Sequence, residues 1–108
     1  MTVVTKITDL DTFNKIIHEN KPNIVNFSSS WCGPCKAFAP TFERIASLSS
    51  ITVGFYKVEC DTCESDLGDV VDVSAFPTFR LYNGGNVLSE VTGASVERVQ
   101  SLVSKAQD

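Results

Sequence analysis

Four cysteines stand in two Cys-x-x-Cys pairs, Cys32-Gly33-Pro34-Cys35 and Cys60-Asp61-Thr62-Cys63. The first pair carries the clearer chemistry. Trp31-Cys32-Gly33-Pro34-Cys35-Lys36 follows a β-prone run and precedes a helical one, which sets Cys32 at a helix start. Two intervening residues bring the sulfurs within disulfide reach once a helix begins at the first. That helix end offers unpaired N–H groups and partial positive charge, and both stabilise a thiolate on Cys32. Gly33 and Pro34 are read as permitting and stiffening a tight turn, and Pro34 costs no hydrogen bond there. Cys35, one turn in, is expected to be the more buried and to act as the resolving thiol. The chemistry predicted is thiol–disulfide exchange: Cys32 attacks a disulfide in a partner protein, and Cys35 then releases the reduced partner. The competing readings are a structural disulfide or half of a metal site, and the strand–CxxC–helix context favours redox.

The second pair is more open. Together the four cysteines read C-x2-C-x24-C-x2-C, superficially a zinc ribbon. The gap exceeds the usual spacing of about 15–20 residues, so no metal is assigned. Cys60 and Cys63 are instead candidate regulatory thiols, either free or joined in a second disulfide. Around them lies an acidic stretch, Glu59, Asp61, Glu64, Asp66, Asp69 and Asp72, with no Lys or Arg from Val58 to Phe79. A solvated helix face accounts for it; steering toward a basic partner is the sharper reading. His18 lies off the apolar stripe of its helix and reads as a surface residue.

The chain has 108 residues, with 9 Lys and Arg against 13 Asp and Glu, a net charge of −4. Hydrophobic residues are 43% and charged residues 20%, as in ordinary globular proteins. One domain spanning 1–108 is expected, burying roughly two-thirds of its unfolded surface. The acidic balance argues against nucleic acid as a partner, and no apolar run approaches the roughly 18 residues of a membrane span. Met1-Thr2-Val3-Val4-Thr5-Lys6 lacks the charged-then-apolar order of a signal peptide. A cytoplasmic protein, with nuclear entry open to it, is expected. In such a compartment cysteines are more often catalytic or metal-binding than structural.

The elements that must hold Cys32 follow from periodicity. Strands are expected at 3–7, 24–27, 52–58, 78–82 and 86–92. Thr8 or Asp9 caps a helix with Leu10, Phe13, Ile16 and Ile17 at helical spacing. A second helix, 32–48, carries Phe38, Phe42, Ile45, Ala46 and Leu48 and contains Pro40, which should kink it. A shorter helix at 64–71 is weakened by Gly68, and a last one at 95–105 presents Val99, Leu102 and Val103. Asn83-Gly84-Gly85 signals a hairpin. The order β-α-β-α-β-α-β-β-α predicts an α/β fold: a mixed sheet with parallel crossovers, a late antiparallel pair, and helices on both faces.

At these residues the chain resembles the thioredoxin family from end to end. Phe27-Ser28 and Trp31-Cys32-Gly33-Pro34-Cys35-Lys36 are most similar to its animal cytosolic branch. Pro40, Lys57, Phe76-Pro77-Thr78, Asn83-Gly84 and Gly93 extend the match. The resemblance implies the thioredoxin fold, a five-stranded mixed sheet flanked by four helices, and a general protein-disulfide reductase active in cell redox homeostasis. It also implies a cis bond at Phe76-Pro77, which leaves the backbone before the proline free to pair with a substrate strand and keeps metal from the cysteines. Cis occurs in only about 5–6% of X–Pro bonds, so sequence alone would assign trans. Trp31, Phe76, Pro77 and Gly93-Ala94 should form a shallow apolar docking surface. By the same resemblance no bound cofactor is needed beyond the Cys32–Cys35 disulfide, and electrons come from NADPH through a thioredoxin reductase. Peroxiredoxins, methionine sulfoxide reductases and ribonucleotide reductase are the implied acceptors, met by a monomer. The rival is a thioredoxin-fold adaptor whose docking groove matters more than turnover.

One position departs from the family pattern. A buried aspartate normally stands six residues before the first cysteine; here it is Asn26. An amide cannot titrate, so the family's general-base role for Cys35 is not carried over, and Lys57 loses that aspartate as its neighbour. Slower or water-assisted resolution is expected, with a more stable fold because no carboxylate is buried.

Overall fold

The computed structural model describes residues 2–108. Five strands and four helices alternate as predicted: β1 (Val4–Ile7), α1 (Leu10–His18), β2 (Asn23–Ser28), α2 (Gly33–Ser47), β3 (Gly54–Glu59), α3 (Ser65–Val70), β4 (Thr78–Asn83), β5 (Asn86–Thr92) and α4 (Val96–Gln107). The sheet order is β1-β3-β2-β4-β5. β3 pairs in parallel with both β1 and β2, while β4 runs antiparallel to β2 and β5. Parallel pairing demands crossovers, and α1 and α2 supply them.

β2 is central and buried along its whole length. Its alternating side chains therefore divide the core in two. Ile24 joins Phe38, Phe42, Phe55, Phe79, Leu81, Val99 and Leu102 under α2 and α4. Val25 and Phe27 join Ile7, Phe13, Val58, Leu67 and Tyr82 under α1 and α3. Edge-on aromatic pairs tie the first layer together, Phe38 on Phe79 at 5.5 Å and Phe42 on Phe55 at 5.7 Å. Arg80 crosses to the second layer, with its guanidinium 5.4 Å from the Phe27 ring and in ion pairs with Asp72 and Glu90.

Asp9, not Thr8, caps α1 by accepting the Thr12 N–H, and Ser95 caps α4 through the Arg98 N–H. The third strand starts later than predicted. Ser50 draws Thr52 into a turn through its hydroxyl, and Val53 N–H donates to the Ser50 carbonyl, so pairing begins only at Gly54. The hairpin closes through Gly84 and Gly85, with φ of 59° and 84°, the backbone that a two-residue turn of this hand requires. α2 continues through Pro40 to Ser47.

Candidate active site

The site lies where β2 ends and α2 begins. Cys32 is the cap of α2, with extended backbone at φ −81° and ψ 111°, and its Sγ accepts the Cys35 N–H at 3.2 Å. Its carbonyl accepts the Lys36 N–H, the first turn of the helix. Cys32 and Cys35 are joined as a disulfide with Cα atoms 5.3 Å apart, inside the range such a bridge needs. Burial does not separate the two as expected: they are 5% and 4% exposed. The two residues of the bridge are buried alike. What distinguishes Cys32 is its place at the cap, where a helix N–H points at its sulfur.

Gly33 opens α2 with a φ that is not positive, and beyond its chain neighbours a Cβ built there would meet nothing within 4 Å. Pro34 follows it, and helical backbone directly before proline is disfavoured for a residue with a Cβ, so glycine eases the first turn. Gly33, Pro34 and Lys36 are exposed, so the helix start presents an open face beside the disulfide.

The loop entering the helix is fixed residue by residue. Ser29 is buried; its hydroxyl accepts the Trp31 N–H and its carbonyl the Cys32 N–H, each at 3.3 Å. Ser30 donates its N–H to Asp61 Oδ1 at 2.9 Å, and its hydroxyl bonds Asp61 Oδ2. One residue earlier in the second loop, Cys60 N–H donates to the Ser28 carbonyl at 2.8 Å. These bonds hold the turn after β3 against the loop after β2. Sequence reading counted Asp61 only among the acids. A contact across 31 residues leaves no local signal.

Trp31 is 71% exposed and rests edge-on against Phe76 at 6.0 Å. The Phe76-Pro77 bond is cis. Pro77 itself is buried, and its carbonyl accepts the Gly93 N–H at 2.9 Å, so it adds little exposed area to the expected docking surface. Gly93, with φ 99°, needs glycine's freedom there, and Ala94 beside it is exposed. Trp31 and Phe76 therefore make one apolar rim of the site, and Gly93-Ala94 lies across the Pro77 link.

Asn26 is 3% exposed on the β2 face beneath α2, and its Oδ1 has no hydrogen-bond partner. It stands in register with Lys57 on β3 and Phe79 on β4, and Phe79 packs on Phe38, one turn beyond Cys35. Lys57 is half-buried and makes no salt bridge among the described residues. Cys60 and Cys63 are free, half-buried thiols packed at the edge of the α1/α3 core. Burial pushes Cys60 up to about 11, helped by Cys63 and Asp61; burial likewise raises Cys63, with Asp66 and Asp61 adding to it. Both stay protonated and poorly nucleophilic near neutrality. No group of three or more His, Cys, Asp or Glu among the described residues is placed to hold a metal ion. The groove between α2 and α4, about 530 Å3 and lined by Arg44, Leu48, Val96 and Gln107, lies toward the other end of α2.

With the disulfide at the helix cap, the rim of Trp31 and Phe76 and the cis proline in place, the chain matches the family model Thioredoxin over residues 3–107. The chain belongs to the thioredoxin family. Thioredoxin from Coprinus comatus is 36% identical over 105 residues, 96% of this chain and 98% of that one. Thioredoxin-1 of Schizosaccharomyces pombe is 34% identical over 101 residues, covering 94% and 96% of the two chains. The crystal structure of Malassezia sympodialis thioredoxin superposes with a TM-score of 0.90 at 31% identity, over 100% of this chain and 94% of that one. The chain is accordingly a thiol–disulfide oxidoreductase of the thioredoxin type, with Cys32 and Cys35 in the active-site position and no prosthetic group.

Proposed function

We propose that Cys32 is the nucleophile and Cys35 the resolving thiol of a general protein-disulfide reductase. The Cys32 thiolate attacks one sulfur of a partner's disulfide, and the other leaves as a thiolate. Cys35, deprotonated, then attacks Cys32 Sγ, breaks the mixed disulfide and leaves the partner fully reduced. Two electrons pass from the dithiol to the partner, and the Cys32–Cys35 disulfide is the product. The observation carrying this assignment is the Cys35 N–H aimed at Cys32 Sγ at the start of α2, because the same donor stabilises a thiolate at that atom and not at Cys35.

Dithiothreitol-driven insulin reduction tests it. Cys32→Ser should abolish turnover, and Cys35→Ser should accumulate a mixed disulfide visible by mass spectrometry. Turnover retained by Cys32→Ser would refute the assignment.

A thioredoxin reductase fed by NADPH is the proposed electron donor. A relative from Mycobacterium leprae joins thioredoxin reductase and thioredoxin in one chain, and a thioredoxin f2 of the same fold is seen in complex with ferredoxin:thioredoxin reductase. A peroxiredoxin is a proposed acceptor, supported by a similar structure concerned with resolving a yeast mitochondrial 1-Cys peroxiredoxin through glutathione and thioredoxin systems. Methionine sulfoxide reductase and ribonucleotide reductase are proposed on the same exchange chemistry. Trp31, Phe76 and Ala94 would meet the partner, with Pro77 and Gly93 shaping the surface beneath. The proposed setting is the cytoplasm, with the protein acting as a monomer.

A further inference from the structure

The loop that carries Trp31 owes its position to a residue outside the motif. Ser29 satisfies the amides of Trp31 and Cys32, but the Ser30 amide has no acceptor within its own loop. Asp61 provides it, and its second oxygen takes the Ser30 hydroxyl. A carboxylate bound through both oxygens fixes direction as well as distance. The contact ends one residue before Trp31, which is 71% exposed and pairs edge-on with Phe76. A residue so exposed relies on its backbone for aim.

We infer that Asp61 is a positioning residue for protein-disulfide substrates: by clamping Ser30 it holds Trp31 beside Cys32 as a rigid docking platform. Asp61 is fit for this because the Ser30 hydroxyl and amide keep its carboxyl below the usual range, so the clamp is ionised at neutral pH. Its own turn is braced, since Thr62 and Cys63 N–H both donate to the Glu59 carbonyl and Cys60 N–H to Ser28. A protein substrate must seat on the platform before exchange. A small aromatic disulfide need only reach Cys32. The clamp therefore serves binding of the large substrate and not the exchange step.

This role rests on the protein-disulfide reductase reading, and the test separates the two. Insulin and a small aromatic disulfide are reduced by wild type, Asp61→Ala, Asp61→Asn and Ser30→Ala, each with dithiothreitol as donor. Asp61→Ala should raise KM for insulin about threefold to tenfold with kcat little changed, and reduce the small disulfide at the wild-type rate. The sole tryptophan reports directly: steady-state anisotropy of Trp31 should fall in Asp61→Ala. Asp61→Asn keeps an oxygen for the Ser30 amide and an NH2 for its hydroxyl, so it should restore KM and anisotropy. Ser30→Ala retains the backbone half of the clamp and should fall between. An unchanged insulin KM or unchanged anisotropy in Asp61→Ala, with wild type active, removes the clamp and leaves the reading. Loss of both substrates together in Asp61→Ala marks a purely structural role and overturns the proposal. A wild type that reduces neither substrate overturns both.

Discussion

Asn26 and Cys60 show how single environments set chemistry at the residue scale. Asn26 lies buried in register with Lys57, and its side-chain oxygen is unpartnered. Asn26→Asp puts a carboxyl where water does not reach, and burial raises its folded pKa above the unfolded value. Stability is then retained below about pH 4 and lost as pH rises through the raised value. We expect urea titrations to show a loss of about 1–3 kcal/mol at neutral pH, shrinking toward pH 4. The mixed disulfide of Asn26→Asp should also decay faster, because a carboxylate can accept the Cys35 proton. An unchanged lifetime with unchanged melting would refute both effects. Cys60 is the opposite case, a thiol kept from ionising by burial up to about 11. In the reduced protein, iodoacetamide near neutral pH should label Cys32 well before Cys60, as peptide mass spectrometry would show. Since its folded pKa is raised, Cys60 contributes stability below its unfolded value that is lost as pH climbs toward 11. Cys60→Ala should flatten part of the alkaline fall in melting temperature.

Elements set the direction in which those residues point. α2 begins with a cysteine as its cap, so the Cys35 N–H that opens the helix faces the Cys32 sulfur. Gly33 follows in helical backbone directly before Pro34, a conformation disfavoured for a residue with a Cβ. Gly33→Ala should therefore lower stability by about 1 kcal/mol or more, measured by chemical denaturation of the oxidised protein. A gain would mean that the first turn has no need of glycine. Helix existence and face were legible in sequence because Phe38, Phe42 and Ile45 recur at helical spacing. The start of β3 was not, since Thr52 and Val53 are good strand formers that the Ser50 hydroxyl and carbonyl hold in a turn.

Across the whole molecule, the mixed sheet decides which loops meet. Because β3 lies beside β2, the turns after both strands leave from the same edge of the sheet, and Cys60 and Asp61 fall against Ser28 and Ser30. Because β4 lies on the other side of β2, the segment before it brings Phe76 to Trp31. Local pattern was enough for the alternation of strands and helices, the α/β class and the redox pair. Those follow from side-chain periodicity and from two thiols one turn apart, all local properties. Resemblance added the cis proline, which local energetics would have assigned trans. Packing in three dimensions brings Asp61 against the active-site loop, buries Pro77, and leaves Cys32 and Cys35 buried alike. Each depends on distances between residues far apart in the chain, and such distances are fixed by which strands become neighbours.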